Sequence, residues 1–151
     1  MKGDRELCMA AVAQDGKALR WTSEEMKGDR ELCTAAVTQD GKALQWASEE
    51  MKGDREVCMA AVAQDGNALQ WAGEEMKGDR ELCTAAVAQH WEAIRFVSEE
   101  MKLDETIAIA HVKTCKKSAN ADAMMEDWPG WKLLHEKMRT NQNVRKAAGL
   151  K

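Results

Sequence analysis

Apolar residues along this chain fall in short clusters that return every 25 positions. In the first stretch, Leu7, Cys8, Ala11 and Val12 lie at helical spacing and share one face of an amphipathic helix. Asp4 stands just ahead of them. Its carboxylate suits the N-cap, where it accepts from the free N–H groups of the first turn. Glu6 then suits the positive end of the helix dipole. Gln14-Asp15-Gly16 ends the pattern, and Gly16 is expected to take a left-handed conformation just past the helix. The predicted helix has about 10 residues and a length of roughly 15 Å. A second helical stretch follows over Lys17–Thr22. If it runs on to Lys27, it aligns Leu19, Thr22 and Met26. If it breaks, Ser23 caps a separate short turn, Glu24-Glu25-Met26. Gly73 replaces this serine in the third stretch. Glycine is tolerated at an N-cap but costs about 1 kcal/mol inside a helix, so the pattern favours the break. Gly28 closes the unit, and Asp29 caps the next long helix.

The pattern is a tandem repeat, with units over 1–25, 26–50, 51–75 and 76–100 and a degenerate fifth over 101–115. The first reads MKGDRELCMAAVAQDGKALRWTSEE. Met9 and Met59 alternate with Thr34 and Thr84, which suggests that a double unit was duplicated as a block. One such helix pair cannot bury its apolar stripe alone, whereas stacked pairs can. The expected fold is all-α: a short α-solenoid of four to five helical-hairpin repeats, with residues 116–151 as a C-terminal cap and basic tail. His90-Trp91 replaces Asp-Gly in the fourth unit, so there the turn is expected to be lost and its two helices joined.

The repeated string Asp-Arg-Glu-Leu-Cys-x-Ala-Ala-Val-x-Gln-Asp-Gly-x-Ala-Leu-x-Trp-Ala-Ser-Glu-Glu resembles a family of short helical repeats of unknown function. Its members read roughly D-[RK]-E-V-V-L-x-A-V-x-Q-[ND]-G-x-A-L-x-[YF]-A-S-x-E-L and form large tandem arrays, many in unicellular algae and other protists. The resemblance spans about residues 1–112. It departs at Cys8 and its equivalents, which stand at a Val position, and at Trp21, Trp46 and Trp71, which stand at a Tyr/Phe position. It implies a helical-repeat fold, no known activity, and an algal or protist source.

Composition adds little to the fold and more to the surface. Apolar residues make up 44% and charged residues 32%, and a single Pro and no Tyr favour helix over strand. No apolar run approaches the roughly 20 residues of a membrane-spanning helix. The chain opens on its charged repeat motif, with no signal-peptide pattern. It begins in phase with that repeat, as a fragment of a longer array would. The net charge of −4 is unevenly placed. Residues 1–110 carry 13 Lys/Arg against 22 Asp/Glu, a net of −9; residues 111–151 carry 9 against 4, a net of +5.

Candidate chemistry is sparse. Cys8, Cys33, Cys58 and Cys83 recur once per unit on the apolar face. Equivalent helices in a stack stand roughly 8–10 Å apart, too far for a shared metal or a disulfide. They are expected to be buried small hydrophobes in a reducing compartment. Cys115 lies out of phase and is expected at the surface. His90, His111 and His135 form no ligand pair, and His111 falls where earlier units have alanine, next to the stack. No catalytic, metal or cofactor constellation is readable, so no enzyme activity and no cofactor is expected. Glu24-Glu25 and their equivalents read as a solvated acidic face or a stripe for a basic partner. Trp21, Trp46 and Trp71 read as a packing ladder or as a half-exposed row lining a groove.

In the tail, Asp127-Trp128-Pro129-Gly130-Trp131 predicts a rigid turn before an amphipathic segment. Trp128, Trp131, Leu133, Leu134 and Met138 are the candidate partner-binding residues; alternatively, this segment seals the fourth unit. The expected role is a non-enzymatic scaffold or peripheral subunit that binds protein in a larger assembly. An organellar assembly, photosynthetic or respiratory, is one setting the resemblance suggests, and peripheral association with a membrane complex is compatible with it. The alternative is nucleic-acid binding through the basic tail, against which the acidic repeats argue.

Overall fold

The computed structural model describes residues 4–115, together with Glu136 and Lys146. Within residues 4–115 the chain is all-α and repeats one three-part unit. Each unit has a long α-helix, a 3-10 helix and a one-turn α-helix. The long helices are α1 (Arg5–Gln14), α3 (Arg30–Gln39), α5 (Arg55–Gln64), α7 (Arg80–Gln89) and α9 (Glu105–Cys115). The one-turn helices are α2 (Glu24–Lys27), α4 (Glu49–Lys52), α6 (Glu74–Lys77) and α8 (Glu99–Lys102). The 3-10 segments are Gly16–Trp21, Gly41–Trp46, Gly66–Trp71 and Trp91–Phe96.

The caps decide these boundaries. Asp4, Asp29 and Asp79 each accept one N–H of the first turn, at 3.1, 2.9 and 2.8 Å. Ser23 and Ser48 do the same for the one-turn helices, each at 3.3 Å. The second stretch therefore breaks at Ser23, as the glycine at position 73 implies. Gly73 caps α6 with no side-chain bond.

The long helices stack in order, α1 on α3, α3 on α5, α5 on α7 and α7 on α9. Each 3-10 segment packs on the long helix of its own unit and on that of the next. The result is two parallel rows, an α-solenoid whose core runs between them. Leu19, Leu32, Leu44, Leu69 and Leu82 are fully buried there, with Val12, Val37, Val62 and Val87. Leu7 begins the leucine column but is 49% exposed, because no unit precedes it among the described residues.

Two expectations about turns are corrected. Gly16 does not adopt a left-handed conformation. The helix ends through Asp15, in extended backbone at φ −145° and ψ 111°, whose side chain accepts from Lys17 N–H at 2.9 Å. The glycine is needed for closeness. A Cβ at Gly41 would lie 2.6 Å from the Ala61 carbonyl oxygen of the next unit, and Gly16 and Gly66 press equally hard on Ala36 and Ala86. In the fourth unit the turn persists despite His90-Trp91. The His90 N–H still bonds Ala86 O at 2.9 Å, and the Ala93 N–H bonds His90 O at 3.0 Å. The backbone supplies the stop by itself, so the aspartate is dispensable.

Candidate interaction surface

Four ladders run along the stack, each built from one position of the repeat. The first is ionic. Arg5 reaches Asp29 (2.9 Å) and Glu31; Arg30 reaches Asp54 (2.5 Å) and Glu56 (3.6 Å); Arg55 reaches Asp79 (3.2 Å) and Glu81. Arg80 reaches Asp104 at 2.7 Å. Each guanidinium thus spans to the helix N-cap of the following unit. The Arg5 bond holds the Asp29 carboxyl below the usual carboxylate range. Asp79 is held low first by the Leu82 N–H it accepts, and by Arg55 after that.

The second ladder ties the opposite ends of the long helices. Gln64 donates to the carbonyl of Thr38, Gln89 to that of Ala63 at 2.6 Å, and the Thr114 hydroxyl to that of Ala88 at 3.3 Å. Between these two ladders α1, α3 and α5 leave a shallow groove of about 510 Å³, lined by Ala13, Arg30, Thr34, Ala35 and Thr38 among others.

The third ladder is the cysteine column, fully buried as the apolar pattern requires. It is more than a packing column. The thiols of Cys33, Cys58 and Cys83 donate to the carbonyls of Lys27, Lys52 and Lys77 at 3.1, 3.1 and 3.0 Å. The same carbonyls accept the backbone N–H of Ser48, Gly73 and Ser98 from the next unit. Burial pushes all three thiols up to about 12, so they stay protonated and unreactive. Cys115, expected at the surface, is fully buried. It lies 3.5 Å from Nε2 of His111, itself buried. Burial lowers His111 to about 4 despite a hydrogen bond with the Trp91 backbone. The Trp91 and His111 rings stand 6.5 Å apart and fill the junction that Gly and Ala fill elsewhere.

The fourth ladder is aromatic: Trp21, Trp46, Trp71 and Phe96 close the four 3-10 segments. Trp21 is 61% exposed, while Trp46, Trp71 and Phe96 are half-buried against the core. Trp46, Trp71 and Phe96 therefore pack as the ladder reading expects while keeping an accessible portion, and Trp21 stands mostly exposed; the groove between the long helices is lined by other residues. Beside them, Glu24, Glu49, Glu74 and Glu99 pair with Lys27, Lys52, Lys77 and Lys102 at 2.5–2.9 Å. Glu25, Glu50, Glu75 and Glu100 are exposed, and no ion pair holds them among the described residues.

The tail candidates Trp128, Trp131, Leu133, Leu134 and Met138 lie outside the described residues, as does His135. Sequence reasoning missed the arginine and glutamine ladders. Their signal was available: an Arg recurs every 25 residues with an Asp 24 residues on, and at the first three boundaries a Glu 26 residues on. Among the described residues, no three His, Cys, Asp or Glu gather as metal ligands, and no helix is long and apolar enough to cross a membrane.

Comparison with the curated proteins and with the solved structures found no match. A family described as a domain of unknown function, DUF4116, matches three times, over residues 4–52, 29–77 and 54–102. Each match spans two units, and successive matches advance by one. An arginine bridge and a cysteine bond between consecutive units fall inside every matched stretch, and the chain belongs to this family of tandem helical domains, DUF4116.

Proposed function

We propose that this chain is a non-enzymatic helical-repeat platform, a peripheral structural subunit that holds a protein partner within a larger assembly. The observation that carries the reading is the aromatic row, repeated once per unit and left partly accessible at each step. Tryptophan at a surface is the residue type most enriched where binding energy concentrates. The rest of the architecture supports it. The repeat arginines are engaged by Asp and Glu of the next unit, which leaves them poorly placed to neutralise phosphates. Buried thiols held near 12 and a buried histidine held near 4 are ill suited to nucleophilic or acid–base work at neutral pH. The test is affinity purification from the native source under crosslinking, with the full chain and with a chain ending before Ala121. A defined complex crosslinked to the 3-10 edge in both forms supports a platform. A complex that the truncation loses moves the binding to the segment holding Trp128 and Trp131. Recovery of no complex overturns the reading.

A further inference from the structure

The residue before each ring of the aromatic row varies as Arg20, Gln45, Gln70, Arg95. In the first unit the chain occupies the ring itself: the Arg20 guanidinium sits over Trp21, 4.8 Å from the ring centroid. In the two central units it does not. Gln45 turns back to donate to Lys42 O at 3.1 Å, and Gln70 to Asn67 O at 3.2 Å. Trp46 and Trp71 are thus half-buried rings of the same kind with no cation supplied from the neighbouring position. Three and four residues past each ring stand two carboxylates, of which Lys52 or Lys77 engages only one. Glu50 and Glu75 are exposed carboxylates on this edge that no ion pair engages among the described residues; Lys42 balances the charge in the second unit, and Asn67 stands in its place in the third, which keeps one net negative charge.

We infer that the edge carrying Trp46 and Trp71 is a docking surface for an arginine-bearing, extended protein segment, whose guanidinium groups take the ring position that Arg20 takes on Trp21. Spacing narrows the partner further. Packed helices stand roughly 8–10 Å apart, and consecutive units here pack directly on one another. A polyproline-II chain rises about 3.1 Å per residue with three residues per turn, so every third side chain points the same way about 9 Å apart. The fitting segment therefore has arginines at Arg-x-x-Arg spacing, with Glu50 and Glu75 opposite the two charges. Arginine is preferred to lysine because its planar guanidinium can lie flat on an indole. This inference rests on the platform reading above and names the chemistry of its partner.

The test titrates the full chain with short peptides and follows tryptophan fluorescence and calorimetry. An Arg-x-x-Arg peptide should bind at least fivefold more tightly than its Lys-x-x-Lys counterpart, and binding should weaken with salt. Gln45→Arg with Gln70→Arg places an own-chain cation at both rings without touching the core. It should weaken peptide binding about tenfold while leaving the helical signal intact. Gln45→Ala with Gln70→Ala should change it less than twofold. Equal binding of the two peptides, or indifference to the paired arginine substitutions, overturns the inference. If either occurs while the native complex is still recovered, the arginine preference alone is wrong. If no native complex exists, the platform reading falls with it.

Discussion

At the scale of single residues, the stack depends on atoms that a hydropathy pattern treats as interchangeable. Cys58 could be any small apolar residue, yet its thiol adds a bond to the Lys52 carbonyl. Cys58→Ala loses that bond and leaves a small void, and should cost about 1–2 kcal/mol in chemical denaturation. With burial holding the thiols near 12, Cys33, Cys58 and Cys83 should resist a thiol reagent at pH 8 until the protein unfolds. His111 adds a pH dependence. Its folded value, lowered to about 4, lies below the roughly 6.5 of an unfolded histidine. Between those values the unfolded chain binds more protons, so stability falls as pH drops from about 6.5 to 4. Melting followed across that window should show the fall, and His111→Ala, which restores the residue of earlier units, should flatten it. Below about pH 4 protonation of Asp29 and Asp79 should remove a further contribution in both proteins.

At the scale of elements, the legible features were local. Each aspartate cap, the break at Ser23 and the length of the long helix follow from residues within a few positions of one another. Gly73→Ser should stabilise by a few tenths of a kcal/mol, since it restores a cap that α6 lacks and its Cβ meets nothing closer than 3.5 Å. The role of Gly41 was not legible. Glycine after a helix suggests a left-handed cap, but here the obstacle lies 20 residues on, at the Ala61 carbonyl. Gly41→Ala should cost about 1–3 kcal/mol by forcing the two units apart, whereas a left-handed glycine would show strain without loosening the interface. Melting temperature combined with exchange of the α5 amides separates the two. The fourth turn was misjudged for the opposite reason. Asp-Gly looked necessary for the stop, but backbone bonds at His90 suffice.

At the scale of the whole molecule, every ladder joins a unit only to its neighbours. Stability should then be nearly a sum of unit and interface contributions. Leu69→Ala, at a fully buried position of the third unit, should cost about 2–5 kcal/mol. Hydrogen exchange should quicken most in α5 and α7, which pack against the 3-10 segment holding Leu69, and least in α1. Uniform acceleration across all helices would contradict a one-dimensional stack. The period of 25 and the all-α stack were plain in the sequence because repetition multiplies a weak signal. The pairings across units were not, since they depend on the offset at which one copy lies on the next. Cys115 was misplaced because α9 runs on to it, past the point where the other long helices stop, and sets it one turn beyond buried His111 on the same face.

The close approach of each 3-10 segment to the next long helix also bears on how such a protein can change length over generations. A copied unit that carries Gly16, Gly41 or Gly66 brings its own clearance, so an exact duplication within residues 1–75 inserts without disturbing its neighbours. A duplication that carries Trp91 inward would set an indole where the next helix must touch, unless a histidine arrives opposite it as at His111. The array is free to grow in one region and resists growth in another. A single residue thus separates a segment where genetic slippage is structurally silent from one where it must be corrected by a second change.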